Sequence, residues 1–209
     1  MKAISFGRGY SAWIGGLFIA AFFLYGGGTA VVTSVVGGTA SPSTISAQQT
    51  TLALGVFLML LNSVAVVALG VLLFPILERH GGTTALAYLA ARIVEGVFLA
   101  LGALSLLLIP QLGGASLAIQ SNTLTYQVAE MSLAVGSIFM CSLLFRTRLV
   151  PRSLAIAGVI GYAIFLTGTV AEIFAVHIGL VLSVPGGLFE LAFAVWLLAK
   201  GFQTEGEGR

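Results

Sequence analysis

Arg92 and Glu95 stand three residues apart in an apolar stretch, and Tyr88 precedes the arginine by four. On a helix that spacing brings all three side chains to one face. Gln127 and Glu130 repeat the three-residue spacing further along, with Tyr126 beside them. Asn62 and Glu190 sit near the middle of two other apolar runs, and Glu172 lies near the end of a fifth. An ionised side chain at mid-bilayer costs roughly 2.5–3.5 kcal/mol on insertion scales. These groups are therefore expected to turn inward to a shared polar cavity, or to pair. Four glutamates (Glu95, Glu130, Glu172, Glu190) against Arg92 leave a formal excess of three negative charges, four minus one. Carboxyls crowded away from water do not all stay ionised. One or more is expected to carry a proton at neutral pH, and Glu95, beside Arg92, is expected to keep its charge. Glu172 is equally compatible with snorkelling to the interface. The candidate ligand-binding residues are Asn62, Tyr88, Arg92, Glu95, Gln127, Glu130 and Glu190.

The elements that hold these residues follow from composition. Of 209 residues, 58% are hydrophobic and 8% charged, with mean hydropathy +1.09. A soluble domain carries about 25% charged residues, so a soluble globular protein, a disordered chain and a nucleic-acid binder are excluded. The fold class is all-α: a polytopic membrane protein, a bundle of six transmembrane helices forming one domain over residues 1–209. The spans fall at about 12–36, 51–77, 84–109, 122–144, 151–175 and 178–199, each long enough to cross a bilayer. Ser41-Pro42-Ser43-Thr44, His80-Gly81-Gly82, Pro110 with Gly113-Gly114, and Pro151 punctuate them. Thr83 or Thr84 is expected to cap the third span, and Ser121-Asn122 the fourth. Between the fifth and sixth apolar runs only the stretch around His177 and Ile178 intervenes, which demands a tight turn.

Lys2, Arg8, Arg79, Arg146, Arg148, Arg152, Lys200 and Arg209 all fall on one side of a six-span chain, and the opposite loops hold no base. The positive-inside rule then puts both termini in the cytoplasm. The first apolar stretch is longer than a signal-peptide core and reads as a retained helix. Gly15-Gly16, Gly26-Gly27-Gly28 and Gly37-Gly38 in or beside that span point to close helix packing. Pro185-Gly186-Gly187 precedes Glu190. It is compatible with a half-helix aiming free N–H groups into a site, or with a simple kink or late start.

Several chemistries lose their residues. The seven acids are all glutamate, so an aspartate-held magnesium–diphosphate enzyme is not expected. Cys141 is the one cysteine, which allows no dithiol cycle and reads as a small core residue. His80 and His177 lie on opposite sides and read as interfacial polar residues. No lysine is deep in a span, and no His-Glu-x-x-His stretch is present. No metal and no cofactor is expected.

Leu73-Phe74-Pro75-Ile76-Leu77-Glu78-Arg79, followed by Ala87-Tyr88-Leu89-Ala90-Ala91-Arg92-Ile93-Val94-Glu95-Gly96, resembles small bacterial membrane proteins of the domain-of-unknown-function family 4386. Gly15-Gly16-Leu17-Phe18-Ile19 and Leu60-Leu61-Asn62-Ser63 are similar to it too. Tyr88, Arg92 and Glu95 are the most specific element. The resemblance covers nearly the whole chain and implies a six-helix protein of a bacterial cytoplasmic membrane. It supplies no activity and no catalytic residue.

Three functions fit the residues. The first is binding or transport of a small amphipathic or lipid-like ligand, with Arg92 on its headgroup. The second is an intramembrane isomerase or cyclase that uses a protonated glutamate as general acid on an apolar substrate. The third is a structural or regulatory protein in which the polar groups only hold helices together. The lipid bilayer is the expected partner and nucleic acid is not, and the residues leave the oligomeric state open.

Overall fold

The computed structural model describes residues 7–37, 42–112, 115–176 and 178–203. Lys2, Arg209, Glu205, Glu207, Gly38, Ser41, Gly113-Gly114 and His177, on which parts of the reading above rest, lie outside them. The described residues form helices and no strand. In order they are α1 (Arg8–Val36), α2 (Pro42–Ala47), α3 (Gln49–Glu78), α4 (Gly82–Leu106), α5 (Ile109–Leu112), α6 (Ser116–Thr147), α7 (Arg152–Ile173) and α8 (Gly179–Ala199).

Six of these, all but the short α2 and α5, are long and apolar enough to cross a membrane. A helix satisfies its own backbone groups, which lipid cannot do. At 1.5 Å per residue the 22 residues of α7 span about 33 Å, matching the roughly 30 Å hydrocarbon core. Trp13 (80% exposed), Phe23 (76%) and Val181 (71%) face outward. Side chains that would be a liability in water are compatible with lipid on all sides of the bundle. The chain is a multi-pass membrane protein.

The spanning helices form a closed ring. The principal contacts run α1 to α3, α3 to α4, α4 to α6, α6 to α7, α7 to α8, and α8 back to α1. Consecutive spans pack antiparallel, so Arg8, Arg79, Arg146, Arg148, Arg152 and Lys200 gather at one end. There the Arg8 guanidinium donates to the Ala199 carbonyl at 2.8 Å, and the Gln203 amide donates to Leu149. The α1–α8 seam is closed on this side by Gly15: a Cβ there would lie 2.6 Å from the Ala194 oxygen. Gly28 lets α1 meet α3 in the other half in the same way, against the Gly55 oxygen.

The interior is filled unevenly. In the basic half a large apolar cluster draws on all six spanning helices, from Ile14 and Phe18 through Leu73, Met140 and Cys141 to Phe193 and Leu197. In the other half the apolar cluster of Val32, Val35, Leu52, Met59, Leu106 and Ile109 involves α1 to α6. Among the described residues neither α7 nor α8 joins it.

Two cap expectations are corrected, the outer loops gain detail, and the alternative at Pro185 is decided. The fourth span starts at Ser116, so Ser121 and Asn122 lie inside α6 and cap nothing. Gly81, not a threonine, occupies the N-cap of α4, with no side-chain bond. The loops at the end away from the bases hold the short helices α2 and α5, which touch each other. Finally, α8 runs unbroken from Gly179 through Pro185, so there is no half-helix at Pro185. A proline on the seventh residue of a helix loses one hydrogen bond near its start, where the ladder is least complete.

Candidate functional site

Each spanning helix turns one stripe toward the ring centre. On α3 the stripe is Asn62, Val66 and Leu69; on α4, Arg92, Glu95 and Leu99; on α6, Tyr126, Glu130 and Leu133. On α8 it is Ser183, Gly186, Gly187 and Glu190, with Phe18 to Gly26 from α1 and Tyr162 and Phe165 from α7. The spacings of three, four and seven residues are those of one helical face. Together the stripes enclose a cavity of about 240 Å³.

Arg92 forms its floor. The side chain is 2% exposed, and every nitrogen is directed at a protein oxygen. Nε donates to the Tyr88 hydroxyl at 2.8 Å. Nη1 donates to both Glu95 oxygens, at 2.9 and 3.1 Å. Nη2 donates to Glu190 Oε1 at 3.4 Å, and the Tyr162 hydroxyl donates to the same oxygen at 2.7 Å. The guanidinium carbon lies 5.5 Å from the Phe18 ring centre and 5.3 Å from that of Tyr88, within cation–π range. Charge-assisted bonds of this kind are the strong ones. The link from α4 to α8 crosses the ring, so one arginine ties together helices that are not neighbours.

The roof is aromatic. Tyr25 of α1 stacks on Tyr126 of α6 at 5.2 Å, with 19° between the planes. These helices are not ring neighbours either. Phe18 and Tyr25 differ by seven residues, or about 10 Å of rise, and this sets the height of the chamber. Glu130 faces the space between floor and roof and is 8% exposed. It shares a hydrogen bond with Tyr126 and makes no ion pair among the described residues.

The wall is open on one side. Its only exposed members are Phe22 and Gly26, both on α1, and Ser183 and Gly187 opposite them on α8 are half-buried. A Cβ on Gly187 would meet only the Phe22 ring, at 3.8 Å, and one on Gly26 would meet nothing within 4 Å. The seam that Gly15 closes in the basic half therefore parts in the other half.

Of the seven candidate residues, Asn62, Arg92, Glu95, Glu130 and Glu190 line the cavity. Tyr88 is buried behind Arg92 and orients it. Gln127 does not line the cavity. Glu172 is elsewhere: its Oε1 accepts the Gly179 amide at 2.8 Å and so ties the turn between α7 and α8. Sequence reasoning missed Tyr25, Tyr162 and Phe18. Tyr25 and Tyr162, hydroxyls in mid-span, were the signals available. Among the described residues no three His, Cys, Asp or Glu side chains converge as a metal site.

No curated protein and no solved structure matches this chain. The model of one family, described as a domain of unknown function (DUF4386), matches residues 13–201. With that match spanning nearly all of its length, the chain belongs to the DUF4386 family.

Proposed function

We propose that the cavity is a ligand site, and that the protein binds or moves a small amphipathic or lipid-like molecule whose polar end reaches Arg92 and the three carboxyls. The observation behind this is a largely apolar interior space into which every spanning helix brings a polar side chain: Tyr25, Asn62, Arg92, Glu130, Tyr162 and Glu190. Polar groups serving only to join helices are satisfied by one another at full packing density. Here Arg92, Glu95 and Glu190 satisfy one another and still border a chamber, which reaches the lipid side between α1 and α8. At about 240 Å³ it is smaller than the roughly 300–1,000 Å³ of pockets that enclose a whole drug-sized ligand. It suits a headgroup with a few carbons, the tail lying in the α1–α8 gap.

The chain forms a single transmembrane domain in a bacterial cytoplasmic membrane, with its basic end and both termini in the cytoplasm. A cysteine placed at Gln203 in a Cys141→Ala background is expected to resist a membrane-impermeant maleimide in intact cells and to react in inverted vesicles. The reverse pattern would overturn the orientation.

Mass spectrometry of molecules that copurify in mild detergent tests the site. An amphipath enriched with the parent and depleted at least tenfold with Asn62→Leu or Arg92→Ala is expected. A parent carrying nothing beyond bulk lipid and detergent overturns the proposal. Glu130, facing the cavity without an ion pair, also suits an intramembrane isomerase or cyclase as general acid. On that reading Glu130→Gln keeps ligand binding and abolishes product.

A further inference from the structure

We propose that the ligand of this cavity is an organic cation, an amine or quaternary ammonium carried on an apolar body, with Glu130 as its counter-charge. The inference rests on the ligand-site reading above and names the class of molecule. The sign of the ligand follows from what each wall group already does. Arg92 looks like an anion receptor, but its Nε, Nη1 and Nη2 are committed to Tyr88, Glu95 and Glu190. An anion would have to displace those oxygens and then sit among three carboxyls. At short range in a poorly screened interior, like charges disfavour that strongly. No other base lines the cavity.

A cation meets the opposite conditions. Glu130 is more than nine-tenths buried, lines the space and has no cationic partner among the described residues. The cavity wall carries Phe22, Tyr25, Tyr126 and Phe165, with Tyr25 and Tyr126 beside Glu130, and aromatic rings with a carboxylate are the usual surroundings of an ammonium group. A metal ion fits poorly, because the carboxyls do not converge into a ligand set. The apolar body has a place as well, since the α1–α8 gap leads from the chamber to lipid past Phe22 and Gly187.

Native mass spectrometry of the purified protein in a neutral detergent provides the test. The probes are decyltrimethylammonium, decyl phosphate and decyl maltoside at equal concentration below micelle formation. The parent is expected to retain the ammonium at least tenfold over the other two. Glu130→Gln, whose side chain keeps the shape, is expected to lose the preference. Preference for the phosphate or the maltoside, or an ammonium preference unchanged in a folded Glu130→Gln protein, overturns the cation assignment and leaves the ligand site standing. Equal retention of all three by the parent, with an amphipath still copurifying, does the same. Failure of the copurification experiment as well removes the site itself. The comparison of the three probes uses only the parent, so a Glu130→Gln chain that does not fold leaves the assignment open to refutation.

Discussion

Replacing Arg92 by methionine removes the cation that ties α4 to α8 while keeping an unbranched apolar chain in its place. The side chain is 2% exposed and holds Glu95 at 2.9 Å and Glu190 at 3.4 Å. Breaking a buried ion pair by removing one partner costs about 3–5 kcal/mol, because the other charge is stranded. Proton uptake by the stranded carboxyls limits the loss, so the lower end, about 3 kcal/mol, is the expectation for Arg92→Met. Adding Glu95→Gln should recover part of it, with a coupling of about 1–3 kcal/mol. Adding Glu190→Gln should recover less, since that contact is longer and its carboxylate 14% exposed. Unfolding in mixed micelles with increasing SDS, followed by tryptophan fluorescence, gives each free energy. A loss under about 1 kcal/mol for Arg92→Met, or additivity of the pair within about 0.5 kcal/mol, would refute the argument that Arg92 is the electrostatic centre of the ring.

Three further outcomes are expected in the same assay. Gly28→Ala would place a Cβ 2.7 Å from the Gly55 oxygen and should cost about 1–3 kcal/mol, whereas Gly16→Ala, with nothing within 4 Å, should stay within about 0.5 kcal/mol. Ala175 is left-handed at φ 61 where the turn after α7 favours glycine. Relief of about 1–2 kcal/mol of strain against about 0.4–1 kcal/mol of added unfolded-state freedom predicts a net gain of up to about 1 kcal/mol for Ala175→Gly. Glu172→Ala should lose about 1 kcal/mol with the acceptor for the Gly179 amide, and Glu172→Gln, which keeps a carbonyl oxygen there, should lose less.

The six spans were legible because lipid leaves the backbone few options. A chain that cannot bond to the solvent must run helical for about 20 residues, and hydropathy records that directly. Arg92 and Glu95 were legible for a similar reason, since their spacing is settled within one helix. Gln127 shows where such reasoning stops. It lies three residues before Glu130, but the inward stripe of α6 runs through Tyr126, Glu130 and Leu133, one position away. The rotation of a helix is set by its neighbours, and an almost uniformly apolar segment hardly encodes it. The Tyr25–Tyr126 roof was hidden by the same uniformity, as was the closure of α8 onto α1. Contacts between helices far apart in the chain leave no local periodicity. Glu172 was left open between cavity and interface because its partner is a backbone amide, which has no letter in the sequence.

The ion pair within α4 has a consequence for biosynthesis. Spans enter the bilayer in order of synthesis, so α4 arrives well before α8 supplies Glu190. A lone arginine would meet hydrocarbon unaccompanied during that interval. Glu95, one turn away on the same helix, travels with it as a chaperoning counter-ion, and Glu190 is recruited only when the last span docks. Moving Glu95 to another helix, even with the final geometry kept, would expose the naked guanidinium to the translocon's partitioning decision.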